Sequence, residues 1–462
     1  MRKIALLAVT LLALAPAAAQ ANGGRLDPKF GRHGRTVIGR VTGVSTLFAA
    51  VGPGNETAIV TSRQVALVNA RGHLERRFGE AGVIDLPVAA GTVLEPSGLA
   101  VDGDGRILIA GTSYRPGVST PPADSVVVER LLPDGRLDPT FGAGGRVEST
   151  LGLPAAPVYG GPSASAKGIA VDSRGRAVVA GSFVTETRIC ETYMGTFSAE
   201  DSHQGFVARL TRGGQLDPTF AAGGVHTAGA PTLDSLPLVD RAGRITYGEQ
   251  ASPESISPTG CPQRGIIAPT LLRGLRPSGA PRAGFDARQS RPLLYTSAAA
   301  QDSEMRTILL GGTLSSNAMG NGGEEVVRVE PSGAVDRSFG ERGHAPASTD
   351  QQATVRAMAV DRRDRVVVAG HIAVAGRIYG GFYVGRLTAD GETDVHFGLD
   401  GSARISFAGA STEALAVAVD SRGRIVLVGS AHRRGEYVDV LALSRYLPGG
   451  GHHHRGKQRP RR

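Results

Sequence analysis

Tryptophan is absent from the 462 residues and aromatic residues make up only 5%. That argues against a broad aromatic platform for sugars or quinones. Cysteine is nearly absent too, with Cys190 and Cys261 alone. Beyond the N-terminus no apolar run approaches the ~18 residues a membrane helix needs, which excludes a polytopic membrane protein. An apolar fraction of 41% and a mean hydropathy of −0.07 also exclude a fully disordered chain. The sequence has no His-Glu-x-x-His helix, no Gly-x-Ser-x-Gly elbow and no phosphate-binding Gly-x-x-x-x-Gly-Lys-Ser/Thr loop. No catalytic residue, resident metal or cofactor is therefore assigned.

Charge is scarce where a nucleic-acid surface would need it. Of the net charge of +9, Arg2 and Lys3 supply two, and Arg455, Lys457, Arg459, Arg461 and Arg462 supply five. The body between them is close to neutral, so no specific nucleic-acid partner is expected. Arg2 and Lys3 precede an apolar stretch from Ile4 to Ala15 and the small residues Ala19 and Ala21. This predicts a signal peptide over residues 1–21, cleaved before Asn22, and a secreted protein with no transmembrane segment. Residues 447–462 read as a disordered His/Arg tail. His452, His453 and His454 suit weak metal binding, contact with anionic wall polymer or lipid headgroups, or plain solubilisation.

What the chain has in excess is glycine, 65 residues, about twice the usual ~7%. No triplet period accompanies it, which excludes collagen. Instead a string recurs, seen in full at Gly24-Arg-Leu-Asp-Pro-Lys-Phe30-Gly31 and Gly135-Arg-Leu-Asp-Pro-Thr-Phe141-Gly142. Seven copies end in Phe30, Phe78, Phe141, Phe220, Phe285, Phe339 and Phe397, spaced 48, 63, 79, 65, 54 and 58 residues apart. The copy at Gly279 to Phe285 has lost its Leu-Asp pair. A second string alternates with the first: Leu99-Ala-Val-Asp102-Gly-Asp-Gly-Arg106-Ile-Leu-Ile-Ala-Gly111, then copies at Asp172, Asp240, Asp361 and Asp420. Each is two apolar runs around an Asp-x-x-Gly turn, a hairpin signal. The copy at Asp361 has Asp364 in place of the glycine. A third apolar run, such as Val126 to Leu132, and a fourth after Phe-Gly complete the period. Four strands per ~60 residues, repeated seven times, predict an all-β seven-bladed β-propeller of antiparallel four-stranded blades over residues 22–446. A β-solenoid is the competing architecture.

The words Leu137-Asp-Pro-Thr-Phe-Gly142 and Val171-Asp172-Ser-Arg-Gly-Arg176-Ala-Val-Val-Ala-Gly181 resemble the delta-sixty repeat family, predicted β-propeller repeats of secreted and surface bacterial proteins. The hairpin is more loosely similar to NHL-type repeats. Neither resemblance brings catalytic residues. The NHL register implies that Ala-Val-Asp is the innermost strand. It also implies that the N-terminal strand, Thr36 to Val41, completes the last blade beside Val438 to Tyr446. The same register places long loops on one face: Arg115 to Asp124, Phe183 to Gln204, Glu249 to Arg264, Gly312 to Gly323, and Leu151 to Lys167. Long loops on a rigid scaffold are where binding concentrates. The candidates there are Glu186, Arg188, Glu191, Tyr193, Asp201, His203, Glu249 and Glu254. Cys190 and Cys261 fall in loops of adjacent blades and are expected to form a disulfide.

The seven Phe residues read as core, and the Asp residues as turn openers whose carboxylates accept backbone N–H groups. Asp102-Gly-Asp104 opens like a calcium loop, but the later oxygen ligands are missing. The expected protein is a monomeric binding module for a protein or a cell-wall polysaccharide. The alternative is an exported hydrolase or lyase with its site among the long loops.

Overall fold

Short runs rich in Val, Ile, Leu and Ala, punctuated by Asp-x-x-Gly turns, can form only brief strands joined by tight reversals, and that is what the chain does. The computed structural model describes residues 24–44, 46–115, 125–153, 164–191, 197–228, 237–250, 270–285, 293, 295–312, 323–373, 380–407, 410–433 and 439–449. The expected leader, residues 1–21, lies outside them, as does the tail from residue 450 onward.

The first strand is β1 (Arg35–Ile38). Blade one holds β2 (Leu47–Val51), β3 (Thr57–Thr61), β4 (Gln64–Val68) and β5 (Val83–Asp85). Blade two holds β6 (Val93–Val101), β7 (Ile107–Tyr114), β8 (Ser125–Leu131) and β9 (Arg146–Ser149). Blade three holds β10 (Ala164–Val171), β11 (Ala177–Glu191), β12 (Phe197–Leu210) and β13 (Val225–Thr227). Blade four has three strands among the described residues, β14 (Leu238–Val239), β15 (Ile245–Gln250) and β16 (Thr270–Leu275). Blade five holds β17 (Tyr295–Gln301), β18 (Thr307–Gly312), β19 (Glu324–Val329) and β20 (His344–Pro346). Blade six holds β21 (Ala353–Val360), β22 (Val366–Ile372), β23 (Phe382–Leu387) and β24 (Ser402–Ile405). Blade seven holds β25 (Ala410–Val419), β26 (Ile425–Arg433) and β27 (Val440–Tyr446), with β1 as its fourth strand. All pairings between these strands are antiparallel, and the described residues contain no helix. In particular, no helix is long and apolar enough to cross a membrane.

The innermost strands β2, β6, β10, β14, β17, β21 and β25 each contact the next, and β25 contacts β2, so the seven sheets form a closed ring. The molecule is a seven-bladed β-propeller. Its apolar core divides into seven clusters, one at each blade–blade junction. One repeat phenylalanine sits in each, from Phe30 at the junction of blades seven and one to Phe397 at that of six and seven. All seven rings are buried. Burying one such ring stabilises by roughly 1.5–3 kcal/mol.

Above the rings lies a second set of repeated residues that the sequence reading passed over. Arg130, Arg209, Arg328, Arg386 and Arg445 stack on Phe141, Phe220, Phe339, Phe397 and Phe30 at 4.3–4.7 Å. Each guanidinium is also bound by the Asp of the same Leu-Asp or Val-Asp word or its equivalent: Asp138, Asp217, Asp336, Asp394 and Asp27. Each reaches across to a carbonyl of the next blade, as Arg386 Nη1 does to Pro448 at 2.7 Å and Arg445 Nη1 to Ala70 at 2.6 Å. The buried charge is thus paired and hydrogen-bonded, the condition under which it is tolerated. Blade one has Leu67 and Glu75 at these two positions, so both partners are lost together.

One expected loop is not a loop. Residues from Phe183 to Gln204 extend β11 and β12 into a long hairpin, paired from Ala177↔Leu210 to Glu191↔Phe197. The polar residues of this stretch hid it, because Thr185, Glu186, Thr187 and Arg188 give no apolar alternation to mark a strand.

Candidate functional site

Five innermost strands break register at the same place. The shifts fall between Pro96 and Gly98, Ala166 and Gly168, Thr296 and Ala298, Val355 and Ala357, and Ala414 and Ala416. A β-bulge leaves one residue unpaired and re-aims its side chain. The five extra residues are Ser97, Lys167, Ser297, Arg356 and Leu415, and all five line a central cavity of about 770 Å³. Lys167 and Arg356 are exposed to it. Glu95 and Tyr114 join them on the wall. The lining runs from the starts to the middles of the inner strands and includes Tyr114 at the end of β7, the end from which the long loops leave.

The bulge also explains the Ala-Gly ending of the hairpins. A Cβ on Gly111, Gly181, Gly311, Gly370 or Gly429 would collide with the carbonyl oxygen of Glu95, Ser165, Tyr295, Thr354 or Glu413, each just before its bulge. Glycine is required there by the close approach of another backbone.

Blade four breaks the rule, and Glu249 occupies the glycine position. It is buried, accepts a hydrogen bond from Tyr247 Oη at 3.2 Å and is paired with Arg273 Nε at 2.9 Å. Tyr247 Oη also lies 3.3 Å from His226 Nε2. Burial holds the His226 imidazole below its ordinary pKa, opposed by the Glu249 charge. The four residues line a second cavity of about 500 Å³ between blades three and four. In the same blade Gly274 replaces the stacking arginine and Arg282 replaces the aspartate, and Arg282 now covers Phe285 at 4.8 Å.

The other candidates are dispersed. Glu186, Arg188 and Glu191 sit on β11, and Asp201 and His203 on β12, rather than in a loop. Asp201 faces Thr187 in the register, and His203, exposed, faces Val184. Tyr193 and Glu254 lie outside the described residues. So does Cys261, and with it the expected disulfide from Cys190 on β11. Neither Glu249 nor His203 lines the central cavity. The ring of bulged residues that does line it was missed, because only pairing reveals a register shift.

The turn aspartates have structural duties. Asp102 Oδ1 accepts the N–H groups of Asp104 and Arg106 at 2.9 Å, and Oδ2 accepts Arg106 Nε at 2.7 Å. Asp104 pairs with Arg106 and with Arg212. Both carboxylates are thus engaged by arginine, and that of Asp102 by backbone N–H groups as well. Among the described residues no group of three or more His, Cys, Asp or Glu is placed to hold a metal ion.

A closed ring of seven antiparallel sheets around a lined cavity defines the class: this is a β-propeller protein. Residues 103–141 match a family described as a domain of unknown function (DUF5122), a beta-propeller. No curated protein matches the chain. Among solved structures it is similar to a protein of unknown function from Dyadobacter fermentans DSM 18053, at 12% identity over 78% of this chain and 99% of that one, with a TM-score of 0.44. A gluconolactonase from Xanthomonas campestris is 13% identical over 86% and 92%, with a TM-score of 0.34. A polysaccharide lyase is 8% identical over 94% and 95%, with a TM-score of 0.48. Likenesses this distant assign no chemistry to the chain.

Proposed function

We propose that the protein is an exported binding module whose central cavity takes a carboxylate-bearing polysaccharide of the cell wall or its surroundings. The observation that carries this reading is the placement of two cations, Lys167 and Arg356, at equivalent bulges on the wall of one cavity. A guanidinium and an ammonium held on rigid strands suit a carboxylate, the guanidinium through two parallel hydrogen bonds. The serines at the matching bulges, Ser97 and Ser297, add hydroxyls of the kind sugars use. Hydrolysis of a glycosidic bond in the usual way needs two carboxyl groups facing one another. The described lining contains one, Glu95, which favours binding over the hydrolase alternative. The repeats are of the delta-sixty type in this reading, the leader at residues 1–21 exports the chain, and the basic tail adds attraction to the same anionic polymer.

Affinity electrophoresis tests it. The mature chain is retarded in gels containing a polyuronate and not in gels containing a neutral glucan. Lys167→Ala with Arg356→Ala weakens the retardation to what the basic tail alone supplies, and no new reducing or unsaturated ends form. Undiminished retardation of the double variant, or cleavage of the polymer, would overturn the reading.

A further inference from the structure

On the opposite face, where the inner hairpin turns emerge, the junction of blades three and four holds a polar cavity of about 310 Å³. Its lining includes Arg174, Arg176, Arg209 and Arg241. Two of these are already neutralised. Arg176 pairs with Asp172 and Asp217 at 2.7 and 3.0 Å, and Arg209 with Asp217 at 2.8 Å. Arg174 and Arg241 are exposed, and among the described residues neither guanidinium has a hydrogen-bond or ion-pair partner. The pocket therefore carries two uncompensated positive charges against one wall of committed carboxylates.

Three other junctions show what this one lacks. Between blades two and three, Asp104 stands at the position of Arg174 and binds Arg212, at the position of Pro277, at 2.7 Å. Between blades five and six, Ser303 donates to Asp364 through its N–H at 2.8 Å and its hydroxyl at 2.6 Å. Between blades seven and one, Ser421 donates to Asn55 through its N–H at 2.9 Å and its hydroxyl at 2.5 Å. Each of those junctions closes on itself, whereas here two like charges face one gap. The carbonyls that would repel an anion are capped, Pro277 by Arg209 Nη1 and Ser278 by the N–H of Ala221. The hydroxyl-bearing residues Ser173 and Ser278 also line the gap.

We propose that this cavity binds a tetrahedral oxyanion, phosphate or sulfate, free or as a monoester, gripped by Arg174 and Arg241. Two guanidinium forks match such an anion's oxygens, and neutralising them removes their mutual repulsion.

Calorimetric titration of the whole chain with inorganic phosphate, sulfate and glycerol phosphate at fixed ionic strength tests this. Saturable binding is expected, weakened at least about tenfold by Arg174→Gln with Arg241→Gln. Arg422→Gln, an exposed arginine at the equivalent turn of blade seven, should leave it unchanged. Tighter binding of the monoester assigns the site to a polymer-borne or sugar-borne group, and equal binding assigns it to the free ion. No saturable binding, or an equal loss in Arg422→Gln, overturns the proposal. Lys167→Ala with Arg356→Ala leaves the titration unchanged, which separates this site from the central cavity.

Discussion

Arg445, on the last strand, grips Asp27, ahead of the first. Its Nη2 and Nε lie 2.8 and 3.1 Å from Asp27 Oδ2. Around this pair Leu26 bridges Tyr446, the Asp27 N–H donates to the Arg445 carbonyl, and β1 pairs with β27. The pair repeats the blade-internal contact of four other blades, but here it spans the two ends of the chain.

Asp27→Ala should therefore act as a ring-opening substitution. It leaves a buried guanidinium without its carboxylate, a change that costs about 3–5 kcal/mol. Adding Arg445→Leu recovers part of the loss, because blade one tolerates Leu67 at that position. Urea unfolding of both variants measures this. An equal loss in the single and double variants would show that the charges are not coupled.

Stability should fall toward acid for one group and toward neutral pH for another. Burial pushes the Asp217 carboxyl up, but hydrogen bonds from Thr219 and the Arg209 charge outweigh it and hold it at about 2, against 3.8 unfolded. Its contribution is present above pH 3.8 and is lost as pH falls toward 2. Glu129 goes the other way. Burial raises it from 4.5 to about 7, against the pull of Arg146. The native state favours its protonated form, so stability declines between pH 4.5 and 7, by about 3 kcal/mol in all. Glu129→Gln should flatten that decline in a pH series of melting temperatures.

Gly370→Ala should unfold or severely weaken blade six, because the added methyl meets the Thr354 carbonyl, which the bulge holds in place. Overpacking of this kind costs at least about 1–3 kcal/mol. Gly103→Ala, with open space around it, should be near neutral. Similar melting temperatures for the two variants would contradict the close-approach account.

At the junction of blades three and four, the His226 imidazole should titrate below its ordinary 6.5, and Glu249→Ala should lower its midpoint further. The sign follows from the Glu249 charge, which favours the imidazolium that burial disfavours. Proton NMR of the histidine resonances reads it directly. An unchanged midpoint would show that the carboxylate does not act on the ring.

The blades were legible because Gly, Leu-Asp and Phe recur at fixed offsets, and each offset reports a turn or a junction. The innermost hairpins were legible for the same reason, and even Asp364 fits, an aspartate at φ 59° where the other copies have glycine. The stacking arginines were in plain view in the Val-x-Arg-Leu runs. Their role depends on an aspartate, eight residues on in four blades and at the far end of the chain for Arg445, and on a carbonyl in the next blade, which no local pattern shows. The bulged residues are invisible for a further reason: register is a property of pairs. Glu249 stands among the candidates as a loop residue; the stronger signal is that it replaces a repeated glycine, since a departure from a repeat asks for a cause.

The placement of β1 at the rim of the seventh sheet has a consequence for assembly. Until β27 has been made, the nascent chain carries a lone first strand with nothing to pair with. Once β27 exists, its outer edge accepts that strand from its own chain or, with the same hydrogen bonds, from a neighbour's. Completion of each molecule is a contest between self-capture and exchange, decided by how crowded the chains are while they fold.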